Sequence, residues 1–195
     1  EGEDMQNGQS NKRDTDMPGR LLDRSNANAP KKTASKDIES FEYAFNCAFL
    51  TRPVRYEHCT FKLTRSEEGA MCTGWSYGDL DAMFEFEFTV PASTLDALQA
   101  IIEEHALASA NGVDKTIQGI PERLGATLLV EYASGERIYA HDNSSSVLSA
   151  KATDALFGFF RALAKEADCD FLHTHGEIMD FQEFLGGCWQ DPDKT

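Results

Sequence analysis

The feature that most constrains the fold of this chain is a short run in which phenylalanine alternates with glutamate. Phe84, Phe86 and Phe88 are separated by Glu85 and Glu87. Successive side chains of a β-strand point to opposite faces, so this run predicts a strand with one apolar face and one charged face. Such a strand belongs in an antiparallel sheet that is packed on one side and open to water on the other.

The same period of two recurs elsewhere in the chain. It predicts strands over residues 41–45, 56–63 and 71–77 before the Phe/Glu run. After that run it predicts a β-hairpin over residues 127–141, with Gly135 in the turn. Six strands are therefore expected.

Two segments have apolar residues at helical spacing. The first helix is predicted to begin after Ser93 as N-cap and to end near the pair Asn111-Gly112. The second is predicted over residues 150–167. The element order β-β-β-β-α-β-β-α favours an α+β fold, with a largely antiparallel sheet and two helices packed on one face.

The first 38 residues differ in composition from the rest of the chain. They are rich in Asn, Ser, Asp and Lys and contain no aromatic residue. Such a segment buries too little apolar surface to offset the entropy lost on ordering. We therefore predict a disordered polar linker over residues 1–38 and a single domain over residues 39–195, with a C-terminal strap from about residue 170.

Charge narrows the range of partners. The chain has 33 acidic and 18 basic residues, a net charge of −15, and most of the excess lies after residue 40. A surface this negative repels nucleic-acid phosphates and anionic lipids. No run approaches the ~20 consecutive apolar residues of a transmembrane helix. Protein, peptide and glycan ligands are the expected partners.

Trp75, Tyr77 and Asp79 alternate along the chain and are a candidate ligand-binding site. On the open face of a sheet, two aromatic rings next to a carboxylate form a platform suited to sugar or peptide binding. The competing interpretation places Trp75 in the core beneath the sheet. The sequence leaves both open.

A second candidate site lies near the C-terminus, in His173, His175 and Glu177. If this segment is extended, the three side chains project from one face. Two imidazoles and a carboxylate are reasonable ligands for zinc or a similar divalent metal. The alternative is that these histidines are exposed side chains and that the protein has no cofactor.

Serine, histidine and aspartate also occur close together, in the stretch from His141 to Ser146. No nucleophile-elbow motif accompanies them. The pair Asp142-Asn143 more simply predicts a turn of the Asx type where a strand ends.

The five cysteines are odd in number and contain no CxxC pair. They are Cys47, Cys59, Cys72, Cys169 and Cys188. If the protein is exported, one or two disulfides are expected. Cys169–Cys188 is the favoured pair, because both residues flank the C-terminal strap. Buried thiols that act as small apolar residues are the alternative.

Residues 88–143 carry a resemblance to known proteins. Its marks are Val90-Pro91, the helical stretches 95–98 and 101–104, Asn111-Gly112, Gly125, and the stretches 132–136 and 139–143. This segment resembles a group of uncharacterised envelope and lipoprotein-like proteins of anaerobic gut bacteria. The resemblance implies a location outside the cytoplasmic membrane, either secreted or anchored through an N-terminal lipid, with a cytoplasmic location as the alternative. It implies no activity.

Three hypotheses about function follow. The leading one is a non-enzymatic binding or interaction domain, tethered outside the cytoplasmic membrane. The alternative is a small metal-dependent hydrolase that uses His173, His175 and Glu177. The third is an inhibitor whose acidic surface mimics a polyanion.

Overall fold

The protein has an α+β fold, as predicted. The computed structural model describes residues 18–54, 56–78 and 83–167, and the backbone of residues 172–174 and 177–179. The strands are β1 (Leu21–Asp23), β2 (Ile38–Asn46), β3 (Tyr56–Ser66), β4 (Gly69–Gly78), β5 (Glu85–Val90), β6 (Asp114–Ile117), β7 (Ala126–Tyr132), β8 (Arg137–Asp142), β9 (Leu172–Thr174) and β10 (Glu177–Met179). The α-helices are α1 (Ser93–Glu104) and α2 (Ala150–Glu166).

Eight strands form one sheet in the order β1-β6-β8-β7-β2-β3-β4-β5, while β9 and β10 pair separately. Neighbouring strands of the large sheet are antiparallel, except that β6 pairs with β8 in parallel. The six predicted strands are all present. The prediction missed β1 and β6, so the element order differs from the expected one. These two strands have three and four residues, too few for an alternating pattern to stand out.

The alternation in β5 is confirmed. Phe84, just before the strand, and Phe86 within it are buried, whereas Glu85 and Glu87 are exposed. Phe88 is half-buried at the end of the apolar row. One face of the sheet therefore carries the core, and the glutamates lie on the other.

A buried tyrosine of the sheet forms a side-chain hydrogen bond with each helix. The hydroxyl of Tyr43 on β2 lies 2.9 Å from Thr153 Oγ1 of α2. The hydroxyl of Tyr132 on β7 donates to Gln99 Oε1 of α1 at 3.1 Å. Burial raises the pKa of Tyr43 to about 12, so this hydroxyl stays protonated at all physiological pH values.

The predicted start of α1 was wrong in one detail. Ser93 is the first residue of the helix, and the N-cap is Ala92, which makes no side-chain capping bond. The N-cap of α2 is Ser149, whose hydroxyl accepts a hydrogen bond from the amide of Ala152. From the sequence alone, a serine near the start of a helix can be the N-cap or the first helical residue. The conformation of the backbone at that point determines which of the two it is.

The predicted boundary of the N-terminal linker also needs correction. Residues 18–37 are attached to the domain, and β1 pairs with β6 at the edge of the sheet. Asn111 Nδ2 donates to the carbonyl of Pro30 at 2.9 Å. The Glu136 carboxylate accepts from the amides of Ala34 and Ser35, at 3.0 and 2.8 Å. The reason is that hydrogen bonds to distant parts of the chain hold this polar segment, and composition records only its lack of apolar surface.

Candidate ligand-binding face

The candidate site lies on the face of the sheet opposite the core. Trp75 is at the centre of β4, between Glu85 of β5 and Thr60 of β3 in the register of the sheet. Its chain neighbours Gly74 and Ser76 are buried on the core side, while Trp75 itself is half-buried. Two residues further on, Tyr77 leaves 52% of its surface exposed.

These two aromatic residues line a hollow of about 340 Å³. The described residues that line it are Trp75, Ser76, Tyr77, Met83, Phe84 and Glu85. Its walls are of mixed polarity, and Glu85 is the acidic residue among the described residues that line it. Aromatic side chains with a few convergent polar groups are typical of small-ligand sites.

Ser76 fixes the geometry of this hollow. The amide of Ser76 donates to the carbonyl of Phe84 at 2.9 Å, and the amide of Phe84 donates to Ser76 Oγ at 2.9 Å. This pair of bonds holds the segment that enters β5 against the end of β4. The rim that carries Met83 and Glu85 is therefore fixed relative to Trp75.

A buried histidine lies beside the hollow. His58 pairs with Tyr77 across β3 and β4, with ring centroids 6.3 Å apart. Only 8% of His58 is exposed, and its Nδ1 has no hydrogen-bond partner among the described residues. Burial, with a smaller contribution from the positive charge of Arg123, lowers the pKa of His58 below its ordinary 6.5.

This lowered pKa makes stability depend on pH. Between the lowered value and 6.5, the unfolded chain binds a proton on His58 that the folded chain does not bind. The free energy of unfolding therefore falls as the pH falls through 6.5, and above that pH the histidine is neutral in both states. We expect His58→Gln to flatten the pH dependence between pH 7 and 5, as measured by urea unfolding. His105→Gln is the control, and an equal flattening in it would contradict the assignment.

The predicted binding residues are thus partly located. Trp75 and Tyr77 both lie on the face opposite the core and line one hollow, and their role in ligand binding stays a prediction. Asp79 lies outside the described residues. Sequence reasoning did not select Met83, Ser76 or His58, because their proximity depends on how β3, β4 and the start of β5 pair.

A chain of polar contacts crosses the same face further along. Thr127 Oγ1 lies 2.9 Å from His141 Nδ1, and His141 Nε2 lies 3.2 Å from the Glu122 carboxylate. Thr127 and His141 are directly opposite on β7 and β8, so a cross-strand pair accounts for their contact. The neighbouring Ser144 donates its amide and its hydroxyl to Asp142, both at 2.9 Å. This is the Asx-type turn predicted from the sequence.

A second hollow, of about 570 Å³, lies between α2 and the loop that precedes β3. Its lining includes the basic residues Arg52, Arg161 and Lys165 over an apolar floor that includes Phe157. The Asp154 carboxylate on α2 accepts from the amide and the hydroxyl of Thr51 in that loop. These bonds attach the loop to the helix.

The predicted metal ligands lie at the margin of the described chain. His173 is in β9 and Glu177 in β10, and these strands pair antiparallel, so the backbone reverses between them. His175 and the side chains of His173 and Glu177 lie outside the described residues, and the metal site stays a prediction. Within the described residues, no group of three or more His, Cys, Asp or Glu could hold a metal ion.

Two further observations concern the whole of the described chain. Neither α1 nor α2, nor any other described helix, combines the length and the apolar character needed to cross a membrane. Comparison of the sequence and structure with protein-family models, curated proteins and solved structures found no match.

Proposed function

We propose that this protein is a non-enzymatic binding domain, held outside the cytoplasmic membrane, whose ligand site is the hollow around Trp75 and Tyr77. One observation carries the proposal: a tryptophan and a tyrosine two residues apart, both on the face of the sheet opposite the core, line one hollow where β4 ends and β5 begins. Two aromatic rings in one hollow offer apolar contact surface that a bound ligand can cover. The composition of the N-terminal segment and the resemblance of residues 88–143 support the location, and fractionation of source cells tests it.

Charge around the hollow favours a cationic ligand. Glu85 belongs to the lining, and Glu87 projects from the same side of β5 one repeat further along. Two such carboxylates lie about 7 Å apart along a strand. An ammonium or guanidinium group is attracted both to carboxylates and to the face of an aromatic ring. The overall charge of −15 attracts such a ligand from a distance.

We therefore propose that the ligand is a peptide or protein segment with lysine or arginine side chains. Two basic residues also lie in this region. Lys62 faces the same side of β3, with its Nζ 3.9 Å from Glu42, and Arg123 contributes positive charge at the buried histidine beside the hollow. Exposed basic side chains offset the negative charge only in part. Neutral oligosaccharides that stack on the two rings are the competing ligand class.

The test uses the fluorescence of Trp75 in the full chain. The sequence contains two tryptophans, so Trp189→Phe leaves Trp75 as the reporter. Short basic, neutral and acidic peptides and a set of neutral oligosaccharides are titrated in parallel. We expect a saturable change with basic peptides, and we expect added salt to weaken this binding.

Variants inside and outside the hollow show which residues of this face bind the ligand. Binding to Trp75→Ala, measured by calorimetry, is expected to be weaker by about tenfold or more, because the largest contact surface is lost. Glu85→Gln should weaken it by about twofold to fivefold. Tyr139→Ala removes an aromatic ring from β8, outside the hollow, and should bind like the unmodified protein.

Two outcomes would overturn this proposal. Salt-independent binding of neutral oligosaccharides that requires Trp75 would replace the peptide ligand with a glycan. If no ligand changes the fluorescence of Trp75, or if Tyr139→Ala reduces binding as much as Trp75→Ala does, the hollow is not the site.

A further inference from the structure

Two cysteines meet in the core at a place that the sequence did not indicate. The Sγ atoms of Cys47 and Cys59 lie 3.3 Å apart. Cys47 is 4% exposed and Cys59 is fully buried. A disulfide joins two sulfur atoms about 2.05 Å apart, so these two atoms need to approach by roughly 1.2 Å to form one.

The local fold explains why these residues meet. Cys59 on β3 is directly opposite Phe45 on β2, and both point into the core. Cys47 lies two residues beyond Phe45, at the start of a short 3-10 helix. The Asn46 side chain caps this helix by accepting from the amide of Ala48 at 2.9 Å. Cys47 is thereby held on the core side, diagonally across from Cys59.

We propose that Cys47 and Cys59 are a disulfide site that becomes oxidised when the chain meets a small-molecule or protein disulfide. A thiolate of the pair attacks one sulfur of the oxidant, forms a mixed disulfide and releases the first thiol of the oxidant. The second cysteine, as thiolate, then attacks the protein sulfur of the mixed disulfide and releases the second thiol. The cysteines lose two protons and two electrons in total, and the oxidant disulfide is reduced to two thiols.

Burial determines when this reaction takes place. Since both sulfur atoms are shielded from solvent, the exchange proceeds during folding or in a locally opened state. For the same reason, the finished disulfide resists reduction under native conditions. This differs from an exposed regulatory pair, which exchanges readily in the folded protein.

The disulfide would constrain a loop whose residues line the second hollow. Residues between Cys47 and Cys59 include Leu50, Thr51 and Arg52, which form one wall of the hollow on α2. Asp154 already ties this loop to the helix through Thr51. Oxidation would close the loop covalently at its base. The inference is independent of the ligand proposed for the hollow at Trp75.

The direct test is a disulfide map of the full chain. The protein is refolded in a mixture of oxidised and reduced glutathione, alkylated under denaturing conditions and digested with trypsin without reduction. Cleavage sites in the sequence place Cys47 in the peptide 37–55 and Cys59 in the peptide 56–62. We expect these two peptides to be joined, and to separate after reduction. Their recovery as separate alkylated peptides, or joined to other cysteines instead, would overturn the proposal.

Thermal unfolding gives a second readout. We expect the oxidised protein to unfold about 5–10 °C above its own reduced form, because closing a loop of this length restricts the unfolded chain. Cys47→Ala should abolish this difference, while Cys72→Ala, which removes another buried thiol, should retain it. Comparing each variant with its own reduced form cancels the cost of the lost side chain. An oxidation-dependent rise that persists in Cys47→Ala would contradict the assignment. If that variant fails to fold, the disulfide map of the unmodified chain decides alone.

Discussion

Replacing Phe61 with alanine is expected to lower the free energy of unfolding by about 3–5 kcal/mol. Phe61 is the centre of the aromatic core and is 3% exposed. Its ring stacks on Phe160 of α2, with centroids 4.8 Å apart and planes 5° from parallel. Its other ring neighbours are Phe45, Phe84, Phe86 and Phe157. The substitution leaves a cavity where β2, β3, β5 and α2 meet, and urea unfolding measures the loss.

Lys62→Ala is the matched control for this prediction. Lys62 is the next residue on β3, projects from the opposite face and leaves 44% of its side chain exposed. Its ion pair with Glu42 spans 3.9 Å between exposed groups, so its loss should change the stability by about 0.5 kcal/mol or less. Equal losses in the two variants would show that the faces of β3 are misassigned. If Phe61→Ala does not fold, Phe61→Leu should show a smaller loss of the same sign.

Gly125→Ala is the second large expected effect, a loss of about 3 kcal/mol. Gly125 lies just before β7, where the backbone passes against the end of β8. A Cβ at this position would overlap the carbonyl oxygen of Asp142 and the backbone of Asn143. The strand cannot move away easily, because the carbonyl of Gly125 accepts from the amide of Asn46 at 2.9 Å. Thermal or urea unfolding measures the loss.

The same substitution in α2 should have the opposite sign. Gly158 is an exposed helical glycine, and a Cβ there meets nothing within 4 Å. Alanine restricts the unfolded chain and favours the helix, so Gly158→Ala is expected to stabilise the protein by about 0.5–1 kcal/mol. A loss of stability in both variants would mean that a general effect, and not the contact with Asp142, is responsible.

Two segments, β5 and residues 18–37, illustrate how much local sequence patterns can predict. The alternation in β5 was sufficient to predict both of its faces, because every second side chain shares one environment. The segment 18–37 could not be predicted in the same way. Its partners Asn111 and Glu136 are 81 to 102 residues away in the chain, and nothing in its own composition records those bonds.

The candidate binding site could be predicted only in part from local patterns. The period of two placed Trp75 and Tyr77 on one face of β4, but it could not say whether that face was buried or open. The answer depends on which side of the sheet α1 and α2 cover. His58 and Met83 were missed because they approach Tyr77 and Trp75 only through the pairing of β3, β4 and β5.

The sequence by itself determined the α+β class, six of the strands, the two helices and the acidic character of the protein. Each of these depends on local periodicity or on a sum over residues, and both can be read without knowing the contacts. Only the tertiary structure decided that Trp75 faces away from the core, that His141 contacts Thr127 and Glu122, and that Cys47 meets Cys59. These features bring together residues that are distant in the chain, and their positions follow from strand register and packing. Many different pairings are compatible with the same local pattern, so the choice among them is made only when the whole chain folds.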